Sequence, residues 1–512
     1  MDYTSLLYYS KPEYESYTGN TLFHDLHVNQ ILSIITEGME EFNLDEFYSQ
    51  KPKCRADVEF RLAISQDLWN DEFREELERY LVSLTKVRRF LAISSFINET
   101  PMKEKWLFDA AWEYISCVST MNNGINPSAG SEGLNRFYAW LKGYTQSNEF
   151  THMHDAAVEI NALLNSADYL LHVDIAANVI HIGEDTNKGD FYADFIKTFD
   201  RYDLKHIGTD ITVFSGIHMN ILEKSIAAAV LGKHPKIQKA LCDFYSRFYD
   251  FAHEKIVQFE REVLFYISYI NYAKRLMKKG YPFTLPRFAR GHELKIKDGY
   301  DASLALVRDN ASQVVLNDFD IYDGEQAFVL TGPNQGGKTT FSRMLGQTFF
   351  FSSLGLPVSC GEAEVPWTEG LCTHFNVAED PGCGSGRLKE ELQRLERIYT
   401  TTPNKSVVIL NELFSSATTY DALEMGRRVL TMFKKKECIC LYITHLHELA
   451  KSENTTVNLY AETDENNGYT STYKIKRTLY GGSNFANRLL VKHRLSYDDI
   501  KERTHAAFVA VL

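Results

Sequence analysis

Residues 326–345 read QAFVLTGPNQGGKTTFSRML. The apolar run Gln326 to Leu330 has the length and texture of a buried strand, and Thr331 to Gly337 is a glycine-rich loop. Lys338-Thr339-Thr340 then opens a helix that continues to Phe351. The loop glycines let backbone N–H groups turn inward toward phosphate oxygens with no Cβ in the way. The helix N-terminus adds its partial positive charge. Gly332, Pro333, Asn334, Gln335, Gly336, Gly337, Lys338, Thr339 and Thr340 are therefore the candidate phosphate-binding residues. Lys338 is placed to reach the β- and γ-phosphates of ATP, and the Thr339 hydroxyl to ligate Mg²⁺.

Downstream, short apolar runs continue to alternate with helices. Val407 to Leu410 and Ile439 to Ile443 read as strands; Leu388 to Tyr399 and Tyr420 to Phe433 read as helices. That alternation predicts an α/β domain with a largely parallel sheet. A second apolar strand ending in carboxylates is needed to hold a metal shell and polarise water. Val407 to Leu410 ends in Asn411-Glu412, which makes Glu412 the candidate general base. Asn411 can accept a hydrogen bond from a metal-bound water but brings no negative charge, so weaker Mg²⁺ binding and slow turnover are expected. Ile443-Thr444-His445 ends a third strand. A lone histidine is ordinarily a satisfied core or surface residue; at a strand end in such a domain it is a candidate sensor of the γ-phosphate.

Upstream, the first ~290 residues read mostly as helix. Phe244, Phe248, Ala252, Ile256, Phe259, Val263, Ile267 and Ile270 recur at three- and four-residue steps, predicting one long amphipathic helix that ends near Lys278-Lys279-Gly280. Tyr169 to Asp174 and Ala177 to Ile182 break the rhythm as short strands, with Asp185 to Gly189 a polar turn. The expected division is a helical region over 1–290, with a small β-containing insert about 150–213, followed by the α/β domain over 291–512. Tyr473 to Leu479 reads as a further strand and Ser496 to Arg503 as a short helix.

The 512 residues are too many for one ordinary core, and 44% hydrophobic with 24% charged residues is a folded composition. The start, MDYTSLLYYSKPEYE, lacks the basic and apolar regions of a signal peptide. No apolar stretch approaches the roughly 20 residues of a spanning helix. A cytoplasmic protein with no membrane partner is expected. The eight cysteines show no CxxC pair and no zinc spacing, and read as reduced core residues. A net charge of −13 argues against a surface coated for nucleic acid. It leaves room for local basic stripes at Lys86/Arg88/Arg89, Lys274/Arg275/Lys278/Lys279 and Lys434/Lys435/Lys436, which ordinarily are solvated helix faces.

Together these segments resemble the MutS family of DNA mismatch-repair ATPases, an ABC-type branch of the P-loop enzymes. TGPNQGGKTTF is similar to the family's TGPNMGGKST loop, with Gln335 for methionine and Thr339 for serine. Val314 to Asp318 precedes it at the family's distance, and LGLPVSCGEAEV and Asp380 fall where the family has its next segment and an acidic residue. ILNELFSSATTYDA resembles MDEIGRGTSTYDG, and ITHLHEL resembles THxHEL. The helix running into FYISYINYAKRLMKKGYPFTLP resembles the family's returning lever helix. The resemblance implies a P-loop ATPase domain behind a helical core and lever with a clamp insert. It also implies ATP and Mg²⁺ as cofactors, water activation by Glu412, γ-phosphate sensing by His445, and DNA as partner. Composite sites imply a homodimer or a related partner, with Thr419 and Asp421 in the loop facing the second nucleotide.

This chain departs from the family at several positions. Asn411 stands for the metal-shell aspartate, and Phe414 and Ser416 for glycines after the acidic pair. The signature is met only loosely by Gly384 to Leu392: the serine expected to act in trans is Gly386, leaving Ser385 and Arg387 as candidates. The chain begins at what looks like the core and lever region, so direct reading of mismatches by intercalation is not expected. The resulting expectation is an ATP-driven DNA clamp of the mismatch-repair type. The alternative is a MutS-like dimerisation switch or scaffold without DNA. A transporter ATPase would need an LSGGQ-like signature and a membrane partner, and a chromosome-organising ATPase would need long heptad arms.

Overall fold

The computed structural model describes residues 3–9, 13–17, 21–98, 100–124, 130–166, 170–174, 179–183, 229–375, 387–449, 456–464, 470–478, 495, 497 and 499–501. Ser385, Asp380, Cys383, the Asp185 to Gly189 turn and most of the expected Ser496 to Arg503 helix lie outside them, as does the side chain of Arg387. The chain forms two compact units. One comprises Met1–Tyr3, Asp71–Ala129 and Leu134–Glu260, the other Thr4–Asn70, Gly130–Gly133 and Arg261–Leu512.

The second unit is built on a six-stranded sheet. Its strands in chain order are β1 (Ala327–Thr331), β2 (Leu371–His374), β3 (Val407–Asn411), β4 (Ile439–Ile443), β5 (Thr456–Asp464) and β6 (Thr470–Arg477). Their spatial order is β2-β3-β4-β1-β5-β6, parallel throughout except for the β5–β6 hairpin at one edge. Every residue of β1, β3 and β4 is buried, as continuous Val/Ile/Leu-rich runs in a parallel sheet require. Helices α1 (Lys338–Ser353), α2 (Arg387–Thr401) and α3 (Thr419–Lys435) connect them. Cys438 and Cys440, two apart and on one side of the chain, both enter the core with Val408, Leu410 and Phe433. A second, four-stranded sheet is formed by Arg287–Phe288, Glu362–Val365, Leu294–Gly299 and Asn317–Ile321, in that spatial order.

The N-terminal helices of this unit, Thr21–Asp25, Val28–Ile35, Leu44–Ser49 and Arg55–Leu68, pack on the same core. Gly346 of α1 faces Leu26, the residue between the first two of these helices. A Cβ added there would press on a Leu26 methyl, so glycine leaves that side chain its place. Arg343 and Gln347, on the same helix, donate to the Asp25 and Leu26 carbonyls at 3.1 and 2.9 Å.

The first unit is helical: Asp71–Phe96 and Thr100–Gly124 pack together, joined by residues of Glu132–Thr145, Asn148–Asn165 and Pro235–Phe248. The strands Leu170–Asp174 and Val179–Gly183 pair as an antiparallel hairpin. The helix Asn148–Asn165 occupies the opening residues of the expected insert. The single long helix expected from Phe244 to Ile270 is two helices, Pro235–Phe248 and Glu254–Lys278. Between them His253 turns the chain. Its Nδ1 accepts from Lys255 N–H and its N–H donates to the Tyr114 hydroxyl, each at 3.1 Å. Its ring packs edge-on against Trp140 and Tyr144. An aromatic pocket thus interrupts a periodicity that is continuous in the sequence. A second correction concerns the cysteines: Cys54 and Cys242 are exposed, not core residues. Among the described residues no helix is long and apolar enough to cross a membrane.

Candidate functional site

Three parallel strands end side by side, and their C-terminal edge carries the polar residues. Thr444 N–H donates to Leu330 O at 3.0 Å and Glu412 N–H to Ile443 O at 2.9 Å, which aligns the ends of β1, β4 and β3. Ligands of open α/β sheets bind at such an edge. Here it opens into a cavity of about 510 Å³. The lining includes Asn334 through Thr340, Asp301, Arg308, Asn317, Glu412 and Tyr473.

The 332–337 loop is held in a conformation its residues do not adopt freely. Gly332 has φ 136° and a Cβ there would meet Ala461 of β5 at 2.7 Å, so this position requires glycine. Gln335 carries a left-handed φ of 60°. Behind the loop, Lys338 is buried and its Nζ donates to the Gly332 and Pro333 carbonyls at 3.0 and 2.9 Å. Burial lowers the pKa of this ammonium, while the negative Glu412 opposes the shift. Thr339 and Thr340 are half-buried on the first turn of α1.

Glu412 and His445 form a pair, with Nε2 and Oε1 2.9 Å apart and both side chains partly exposed. The imidazole, with a smaller contribution from Lys338, holds the Glu412 carboxyl below the ordinary glutamate range despite its partial burial. Glu412 also borders a second cavity of about 230 Å³ with Ser415, Thr419, Thr444 and His445. Beside it, Asn411 Oδ1 is buried without a hydrogen-bond partner among the described residues. A buried carbonyl oxygen left unpaired is costly unless something polar reaches it. This oxygen is the acceptor that the sequence assigns to a metal-bound water.

The turn after Glu412 is strained, with left-handed φ at Glu412 (53°) and Phe414 (61°). Phe414 is buried in the core cluster and its N–H donates to Glu391 Oε2 at 3.1 Å. Glycine at 414 would relieve a left-handed backbone cost of roughly 1–2 kcal/mol but forfeit a buried ring worth about 3–5 kcal/mol. Phe414→Gly is therefore expected to destabilise by about 2 kcal/mol in urea denaturation; a stabilised variant would contradict this account.

Of the remaining sequence candidates, Thr419 opens α3 beside the second cavity. Asp421 completes a cap: Thr418 Oγ1 accepts its N–H at 3.2 Å and donates to its carboxylate at 2.7 Å. Arg387 begins α2.

Tyr473 was missed. It sits on edge strand β6 with φ 60°, half exposed, over the loop: a Cβ on Gly337 would lie 3.4 Å from its ring. Asn317 fixes this strand by donating to Tyr473 O at 3.0 Å and accepting from Ile475 N at 2.8 Å. The alternation of Thr470 to Arg477 signals a strand, and nothing in it signals which residue closes over the loop.

At the end of β2, His374 is buried with neither ring nitrogen partnered among the described residues. Burial, helped by Arg394, pushes its pKa down from 6.5 to about 4. Between those values the unfolded chain binds more protons, so this residue's contribution is complete above pH 6.5 and is lost as pH falls toward 4. The loss is on the order of 3 kcal/mol. Denaturation midpoints of wild type and His374→Phe at pH 7.5 and about 5 check this: the variant should lose much less stability on acidification.

A family model described as MutS domain V matches residues 328–483. The DNA mismatch repair protein MutS of Shouchella clausii is 28% identical over 191 residues, 36% of this chain and 22% of that protein. That of Streptococcus agalactiae is 26% identical over 197 residues, 38% of this chain and 23% of the relative. The Rickettsia prowazekii protein is 27% identical over 176 residues, 34% and 20% of the two chains. The matched part thus spans about a fifth of the length of these curated relatives.

Proposed function

This chain belongs to the MutS family through its domain V, and from that premise we propose that it is a cytoplasmic ATP-dependent DNA-binding protein of the mismatch-repair kind. It hydrolyses ATP to ADP and phosphate at the 332–340 loop and works as a homodimeric clamp. The observation that carries the reading is the convergence on one strand edge of a desolvated Lys338, the Glu412–His445 pair and the unpartnered Asn411 oxygen.

Loop N–H groups and Lys338 bind the β- and γ-phosphates. Glu412, ionised at neutral pH, accepts the proton of the attacking water as the bond from the γ-phosphorus to the ADP oxygen breaks. His445 orients Glu412 through their hydrogen bond and is assigned the sensing of the γ-phosphate. Mg²⁺ would be held by the Thr339 hydroxyl and, through water, by Asn411, and would supply positive charge against the phosphates. Because Asn411 brings no charge, Asn411→Asp is expected to lower the Mg²⁺ concentration for half-maximal activity about tenfold, as one added charge-assisted contact would. A magnesium titration checks it, and an unchanged midpoint counts against the metal role of position 411.

In this reading residues 1–290 form the core and lever with a clamp insert about 150–213, and 291–512 form the ATPase domain. Ser385, Arg387, Thr419 and Asp421 face the nucleotide of the second protomer. Tyr420, 79% exposed between the last two, supports a contact surface on that turn. ATP occupancy would close the two ATPase domains and move the levers. The net charge of −13 favours the second reading, a nucleotide-dependent dimerising scaffold without DNA.

ATPase activity and DNA affinity at stated salt, measured with plain, mismatched and branched duplexes, separate the two. DNA-stimulated hydrolysis supports the clamp. Tight ATP binding with neither stimulation nor DNA binding at low salt leaves the scaffold.

A further inference from the structure

Asp25 is 4% exposed, yet three donors share its Oδ2: Thr373 Oγ1 at 2.8 Å, Phe375 N at 3.3 Å and Arg394 Nη2 at 3.2 Å. The first two belong to the end of β2 and the residue after it, the third to α2. Arg394 also donates to Phe375 O at 3.2 Å, so carboxylate and guanidinium together lock α2 against the strand end. One turn earlier on the same helix, Glu391 accepts the Phe414 N–H. Phe414 lies two residues past Glu412 in a turn where both are left-handed. Asp25 is therefore linked through Arg394, the α2 backbone, Glu391 and Phe414 to the turn that aims Glu412.

A separate set of bonds runs from the backbone of the same segment. The Asp25 and Leu26 carbonyls accept from Arg343 and Gln347 of α1, and Gln347 Nε2 also donates to Asp301 Oδ1 at 2.8 Å on the cavity wall. Changing the Asp25 side chain cuts the first set and leaves the second intact.

We propose that Asp25 is a positioning residue for hydrolysis: it fixes α2, and through Glu391 and the Phe414 turn the orientation of Glu412, without contributing to nucleotide binding. The inference rests on the reading of this cavity as an ATP site. A structural role alone would weaken binding and turnover together; a positioning role separates them.

The test compares the full-length wild type with Asp25→Asn, Arg394→Met and the double variant, each measured for ATP dissociation constant, KM, kcat and thermal melting. Asparagine still accepts from Thr373 and Phe375 but loses its charge toward Arg394. Expected is a kcat about tenfold lower in each single variant, binding within about twofold of wild type, and no further loss in the double variant, as for residues in one network. A wild-type kcat in Asp25→Asn, affinity falling in step with kcat, or losses that multiply in the double variant would each overturn the proposal. Should Asp25→Asn fail to melt cooperatively, Arg394→Met decides by the same criteria. A wild type that binds no ATP overturns the ATP reading and this inference with it. A wild type that hydrolyses ATP beside an unaffected Asp25→Asn overturns this inference alone.

Discussion

Lys338→Ala is expected to weaken ATP binding at least a hundredfold, about 2.7 kcal/mol, while leaving the fold nearly as stable as before. The ammonium is held inside the loop by two carbonyls and is substantially desolvated. Its removal costs about 1 kcal/mol for each hydrogen bond lost and regains part of that by deleting a buried charge. Against a triphosphate the balance is different. A cation already stripped of water interacts strongly with added negative charge. No other lysine or arginine among the described residues stands within the loop itself. Isothermal titration with ATP and Mg²⁺, alongside thermal melts, measures both quantities. Wild-type affinity in the variant would remove the 332–340 loop from consideration as the phosphate site.

Glu412→Gln should give the complementary result: ATP still binds, and turnover falls by about a hundredfold to ten-thousandfold, the usual range for losing a general base. The amide is the same size as the carboxyl and keeps a group beside His445 Nε2, so the strained turn has no reason to collapse. What disappears is the proton acceptor. Because His445 holds the native carboxyl below the ordinary glutamate range, the acid limb of the wild-type rate should lie at lower pH than for an unperturbed glutamate. Single-turnover hydrolysis with radiolabelled ATP separates binding from chemistry. A variant that turns over at the native rate would transfer the role of base to another group.

Those two residues were legible in the sequence because a parallel sheet writes its strands as unbroken apolar runs and places polar chemistry where each run stops. The strands at Ala327, Val407 and Ile439 lie within a residue of where the apolar runs put them. The features that escaped depend on contacts distant in the chain. The helix expected across Tyr249 to His253 is interrupted because Tyr114, Trp140 and Tyr144 converge on His253, and no local window contains those rings. Tyr473 closes over Gly337 only because β5 and β6 extend the sheet beyond β1. Asp25 carries no local signal at all. Its role is set by partners 348 to 369 residues away.

That separation also sets a timetable for synthesis. Residues 4–70 leave the ribosome before residues 261–512, yet the two belong to the same compact unit. At roughly 5–20 residues per second, Asp25 emerges some tens of seconds before Thr373 and Arg394 exist to meet it. During that interval Leu22, Leu26, Ile31 and Ile35, all buried in the finished protein, have no core to enter. That segment stays without its final partners throughout, and the second unit reaches its final packing only after translation has passed α2.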